Sequence, residues 1–152
     1  MSEVQTSQHE PATILAQFYD AETRYMQNPS DELFKQMVAT FSPDLKLIQS
    51  PDLPYGGVWY GLDGFRGWSE QMASYFDVVD VQKPEVFTRD GSDRVMVLGL
   101  LHLRLRRSQR VLEAPMCQMM VVDRDAGLIT EIQPFYWNVK GLVDAIELDK
   151  TT

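Results

Sequence analysis

The stretch Val95-Met-Val-Leu-Gly-Leu-Leu-His-Leu-Arg-Leu-Arg106, with Val111-Leu-Glu-Ala-Pro-Met-Cys-Gln-Met-Met-Val-Val122 after a short polar break, decides the fold. Both halves are too rich in β-branched and apolar residues, and too short of helix-period polar positions, to be anything but strands. Read as a two-residue hairpin loop, Ser108-Gln109 sets Arg104 opposite Glu113, Leu100 opposite Cys117, Leu98 opposite Met119 and His102 opposite Pro115. The opposite charges of Arg104 and Glu113 support that register. Alternation puts Leu98, Leu100, His102, Cys117 and Met119 on one face, and Leu101, Leu103, Leu105, Leu112, Met116 and Met120 on the other. An antiparallel sheet with one face in water has one polar face. Here both are apolar, so one face is expected to cover helices and the other a second copy of the chain, giving a homodimer through the sheet.

Upstream the period is helical. Ile14, Phe18, Ala21 and Tyr25 form a stripe from Pro11 to Met26, with proline suited to the first turn. Ser30 has the chemistry of an N-cap for a second helix, and Asp31 and Glu32 sit favourably near its positive end. Leu45 to Gln49 reads as a short strand, and Ser50 to Gly57 as a loop. A third helix carries Phe65, Trp68, Met72 and Tyr75 on one side, with Asp63 expected as its cap. Val79 to Thr88 is a strand that Pro84 consigns to an edge or a bulge. Leu128 to Trp137 is a further strand and Val139 to Leu148 a closing helix. Helices first and a run of strands afterwards make an α+β chain. The expected organisation is a flexible tail over 1–10 and a single domain over 11–150.

Composition narrows the function. The chain has 152 residues, 14 basic against 22 acidic side chains, and a formal charge of −8, which argues against nucleic acid or an anionic membrane as partner. One cysteine, Cys117, excludes an internal disulfide, and His9 and His102 are the only histidines. That inventory does not supply a zinc site, so neither metal nor organic cofactor is expected. The N-terminal residues lack the pattern of a signal peptide, and with one thiol the expected location is cytoplasmic.

The segment Leu53-Pro-Tyr-Gly-Gly-Val-Trp-Tyr-Gly-Leu-Asp-Gly-Phe65 resembles the hallmark of the SnoaL-like domain family. So does the ending Gly127-Leu-Ile-Thr-Glu-Ile-Gln-Pro-Phe-Tyr-Trp-Asn-Val-Lys-Gly-Leu142. That family belongs to the nuclear transport factor 2-like superfamily, with ketosteroid isomerase and scytalone dehydratase. The resemblance implies a cone: a curved, mixed, mostly antiparallel sheet wrapped around the N-terminal helices, with an apolar pocket. It implies no single activity. The general-base aspartate of ketosteroid isomerases falls on Ser50 when strand ends are matched and near Asp52 when counted back from Gly61; their oxyanion-binding tyrosine falls on Tyr25. The aspartate closing the last strand of SnoaL-type cyclases falls on Asn138, which cannot exchange a proton.

Two readings follow. The first is an isomerase, cyclase or dehydratase that works by proton transfer on a small hydrophobic molecule, with His102 or Asp52 removing a proton and Tyr25 holding the developing enolate. Tyr55, Trp59, Trp68, Cys117, Met119, Tyr136 and Asn138 would line its pocket. The second is a non-catalytic dimeric module that binds a hydrophobic ligand or a protein. Each chosen residue has a plainer role to set beside the functional one. His102 and Cys117 are as well suited to packing, Asp52 to a solvated turn, the aromatics to the core, and the arginines 104, 106, 107 and 110 to a solvated hairpin tip.

Overall fold

The computed structural model describes residues 9–152, so most of the expected tail, residues 1–8, lies outside the described residues. His9 already belongs to the fold, its backbone N–H donating to Arg124 O. Pro11–Gln27 form α1, Asp31–Val38 α2, Gly61–Tyr75 α3 and Val139–Asp149 α4. The strands are β1 (Phe41–Gln49), β2 (Gly57–Tyr60), β3 (Phe76–Thr88), β4 (Arg94–Leu105), β5 (Val111–Asp123) and β6 (Leu128–Tyr136). They make one sheet in the order β2-β1-β6-β5-β4-β3, antiparallel except where β1 runs parallel to β6. This is the expected α+β cone.

Local chemistry explains most boundaries. Proline opens α1, and the Ser30 hydroxyl accepts from Leu33 N at 3.2 Å at the start of α2. Asp63 lies in the first turn of α3 instead of capping it; the helix starts two residues earlier, directly after the four-residue strand β2. That strand is too short for its own alternation to show. Trp59 of β2 packs beneath α3, and an added Cβ at Gly67 would come within 3.3 Å of its ring, a contact tight enough that a larger residue there would push the ring aside. In β3 the register shifts between Gln82 and Glu85, where Lys83 adopts φ 50° and Pro84 lacks an N–H. That strand is also the sheet edge, so proline sits where both of its tolerated settings coincide.

The β4–β5 hairpin differs from the sequence reading by two residues. Its tip is longer, with Leu105 N–H donating to Arg110 O and Gln109 at φ 64°. Leu103 therefore faces Leu112, His102 faces Glu113, Leu100 faces Pro115 and Leu98 faces Cys117. A shift of two preserves the faces, since only an odd slip would exchange them. Arg104 faces Val111 and bonds instead to Asp77 of β3, Nε to Oδ1 at 2.8 Å.

The concave face carries Val95, Val97, Leu101, Leu103 and Leu105 of β4, all buried beneath the helices. An aromatic cluster joins the layers. Phe65 of α3 meets Phe18 of α1, Phe34 of α2, Phe41 of β1 and Trp68 at centroid distances of 4.6–6.4 Å. At the hairpin tip Arg107 and Arg110 are exposed, as expected, but the half-buried Arg106 is turned into the fold. The Arg106 guanidinium donates to Ala73 O at 2.7 Å, Met26 O at 3.0 Å and Phe76 O at 3.1 Å, satisfying carbonyls at the ends of α1 and α3. Arg107 donates to Lys150 O at 2.7 Å. Arg106→Ala leaves three carbonyls short of a donor, and chemical denaturation is expected to show a loss of about 3 kcal/mol; Arg106→Lys, which lacks the planar fork, recovers only part of it.

Candidate functional site

Between the concave face and helices α1 and α3 lies a chamber of about 20 Å³, room for about one water. Phe18, Phe65, Trp68, Met72 and Leu101 make its apolar walls. Its polar groups are Glu22 of α1, Gln49 of β1, Gln118 of β5 and Tyr136 of β6. Each is placed by simple periodicity. Glu22 follows Phe18 by one helical turn and precedes Tyr25 by three residues, so it shares their buried stripe. Gln49 continues the inward positions Leu45 and Leu47, and Gln118 sits between inward Met116 and Met120.

Glu22 is 6% exposed, and none of the hydrogen bonds or ion pairs formed by the described residues involves its carboxyl group. Burial, with a smaller contribution from the charge of Asp80, pushes its carboxyl up to about 8. It is therefore a neutral acid at pH 7 and becomes a carboxylate just above. The two glutamines are held from behind. Tyr19 Oη donates to Gln118 Oε1 at 2.6 Å, and Tyr136 Oη donates to Gln49 Oε1 at 3.2 Å. Burial raises both phenols above their ordinary value. In the wall, the Trp68 indole N–H is buried without a partner. An apolar chamber that leaves polar atoms unpaired is the arrangement found where a ligand supplies the missing partners.

The residues expected from sequence divide sharply. Trp68 and Tyr136 line the chamber. Tyr55 is fully buried beside Tyr75, ring centroids 6.2 Å apart, and is not among the wall residues. Trp59 is half-buried and spends its indole N–H on Tyr55 O at 3.2 Å, a structural bond. Tyr25 packs edge-on to Phe34 at 6.1 Å, with Glu70, Arg66 and Asp31 as its charged surroundings; it serves the α1–α2 contact, not the chamber. Asp52 is exposed in the loop after β1, a solvated turn carboxylate. Asn138 accepts from Gly141 N at 2.9 Å and caps α4.

His102, Cys117 and Met119 lie on the convex face, with the sheet between them and the chamber. The fold therefore does not bring these three to the chamber, although Cys117 does line a groove on its own side of the sheet. Alternation grouped them properly, but both faces are apolar, and only the packing of α1 and α3 shows which one is concave. His102 stands in a cross-strand row between Asp80 of β3 and Glu113 of β5, and its Nδ1 is buried without a partner. Cys117 is half-buried beside a surface groove that Leu98, Phe135 and Trp137 also line. Sequence reasoning missed Glu22, Gln49, Gln118 and Tyr19. The available signal was an acidic residue inside an otherwise apolar helical stripe.

No family model matches the chain, and no curated protein does. Solved structures do. The protein TerC, co-crystallised with polyporic acid, superposes with a TM-score of 0.71 at 14% identity, covering 90% of this chain and 97% of its own. A nuclear transport factor 2-like protein from Burkholderia xenovorans LB400 gives 0.68 at 19% identity, covering 92% and 96%. A protein of ketosteroid isomerase-like fold from Catenulispora acidiphila, solved with trimethylamine, gives 0.63 at 15%, covering 81% and 84%. Together with the element order and sheet topology, these likenesses show that the chain has the nuclear transport factor 2-like, ketosteroid isomerase-like fold.

Proposed function

We propose that the chain is a small-molecule chamber protein in which Glu22 exchanges a proton with an apolar guest, as in an isomerase, cyclase or dehydratase that needs no metal or organic cofactor. The observation that carries this reading is Glu22 itself: a buried carboxyl, bonded to nothing, in the wall of a chamber. A group that changes protonation near neutrality is suited to both taking and returning a proton. The reading moves the proton-transfer role from His102 and Asp52 to Glu22. It moves the hydrogen-bond donor role from Tyr25 to the amides of Gln49 and Gln118. Met72 and Met116 are the wall residues with the most freedom to repack around a guest larger than water. Two neighbours of the same fold, TerC with polyporic acid and the Catenulispora protein with trimethylamine, were solved with small molecules, which supports a ligand in the chamber.

The second reading, a binding module without turnover, is favoured by the exposed apolar side chains on the convex face, which suit a protein partner. Under either reading we propose self-association through the convex face, in a cytoplasmic setting without nucleic acid or membrane. Phe87, Met96 and Met119 form one row across that face, and Leu98, Cys117 and Phe135 the next. Leu98 and Phe135 are each 51% exposed and neighbouring Trp137 is 86% exposed, an apolar patch of the kind that marks an interface. Among the described residues no helix is long and apolar enough to cross a membrane.

Glu22 links the chamber to stability. Unfolded, its carboxyl ionises near the ordinary 4.5; folded, near about 8. Between those values the folded state holds a proton that the unfolded state has released, so stability falls as pH rises through this window and levels off above it. Heat denaturation of Glu22→Gln should match the wild type at pH 4 and show a higher Tm at pH 9; equal curves at both would refute a buried, uncompensated carboxyl. For function, native mass spectrometry of freshly purified protein identifies any retained small molecule, and solvent deuterium entering its carbon positions reads proton transfer. Glu22→Gln is expected to slow that exchange about 100-fold or more. A retained ligand with no exchange in wild type decides for the binding module. Light scattering tests the interface: Leu98→Asp buries a charge in the proposed contact and should convert a dimer to a folded monomer.

A further inference from the structure

Behind two of the chamber's side chains lies a much larger space. β1 is paired with β6 as far as Leu47 opposite Ile132. Beyond that point the two strands part: β1 stays with β2, Gln49 opposite Gly57, and β6 stays with β5, Tyr136 opposite Met116. A proline accounts for the split. Trp137 N–H donates to Pro115 O of β5, so by alternation the backbone of Pro134, three residues earlier, is turned towards β1, to which it has no N–H to offer. The gap is a cleft of about 300 Å³ walled by Ile48, Pro51, Gln133, Pro134 and Val139, and among the described residues no charged side chain lines it. That is the lower end of the size range of sites for small organic molecules. Among the described residues, Gln49 and Tyr136 alone border both the cleft and the chamber. The bond between them, Tyr136 Oη to Gln49 Oε1 at 3.2 Å, is neutral and longer than most of its kind. Tyr136 also borders the convex-face groove beside Leu98 and Trp137, so it has open space on two sides.

We infer that the ligand site is the chamber and this cleft together, made continuous when Tyr136 swings off Gln49, and that it takes an uncharged, ring-bearing molecule too large for the chamber alone. This rests on the reading of the chamber as a ligand site and adds its entrance and its second half. Tyr136 is the door and Gln49 the latch. The hydroxyl keeps the door shut, so a guest binds the minority open form and its apparent affinity is reduced by the fraction open. The consequence has a distinctive sign: removing the hydroxyl improves binding, whereas removing a hydroxyl that touched the guest weakens it.

The test uses full-length protein with methyl-labelled methionine and indole as the probe. The Met72 methyl reports on the chamber, and those of Met96 and Met119 on the convex face. Tyr136→Phe keeps the ring and removes the latch. It is expected to tighten indole binding and to speed association, each about fivefold, read at Met72. A hydroxyl that held the guest, or one needed for the fold, would give the opposite sign. Val139→Trp fills the cleft from α4 without touching the chamber and is expected to slow association at least about fivefold; should that variant not fold, the Tyr136→Phe result decides. The inference is overturned if Tyr136→Phe binds indole no tighter than the wild type, or if folded Val139→Trp takes it up at the wild-type rate. If indole moves Met72 in the wild type but neither substitution alters rate or affinity, this inference fails and the chamber reading stands. If indole leaves Met72 unmoved in the wild type and in Tyr136→Phe alike, both fail.

Discussion

The contact on which the rest depends is the burial of Phe65 among Phe18, Phe34, Phe41 and Trp68. These rings come from three helices and the first strand, and Phe65 has no exposed surface. That cluster is the part of the core where all three of these helices and the first strand meet, and it helps hold α1 and α3 over the concave face. Its position also makes the chamber. Phe18, Phe65 and Trp68 serve at once as glue between layers and as chamber wall, so the site is a place where core packing stops slightly short of completion. Edge-on and tilted aromatic contacts suit this role, being rigid and tolerant of a nearby gap.

A second constraint operates at the opposite end of the hairpin. Helices α1 and α3 finish with carbonyls that no further turn can satisfy. Arg106 reaches them from the β4–β5 tip and bonds three at once. The bonds hold the helix ends to the sheet and so fix the depth of the space between. Asp149 does related work from α4, accepting from the backbone N–H of Ser108 at 3.0 Å and of Arg107 at 3.3 Å. The polar tip is therefore a junction of four elements.

The placement of charge follows from the two sheet faces. Among the described residues the chamber wall has one carboxyl, that of Glu22, and burial favours its protonated form. The convex side sets His102 between Asp80 and Glu113. The same cone thus holds an acid that loses its charge by burial and a histidine beside two carboxylates. The sheet keeps them on opposite sides, which is why they do not form one acid–base pair.

Element order was legible in the sequence wherever a period persisted. The stripe of Ile14, Phe18 and Tyr25, the Ser30 cap and the alternation along Val95–Val122 all depend on local spacing, and the structure keeps each of them. Grouping by face was legible too, since a register error of two residues leaves parity untouched. Which face is concave was not. Leucine and methionine lie on both sides of the strands, and only the docking of α1 and α3, a contact between residues far apart in the chain, breaks the tie. Glu22 shows the same division: its place on the buried stripe is a property of the sequence, but its value as an acid depends on walls contributed by α3, β1, β5 and β6. Local spacing determined what each residue has beside it along the chain; the tertiary structure decided what it has opposite, and burial, the source of the chemistry, belongs to the second.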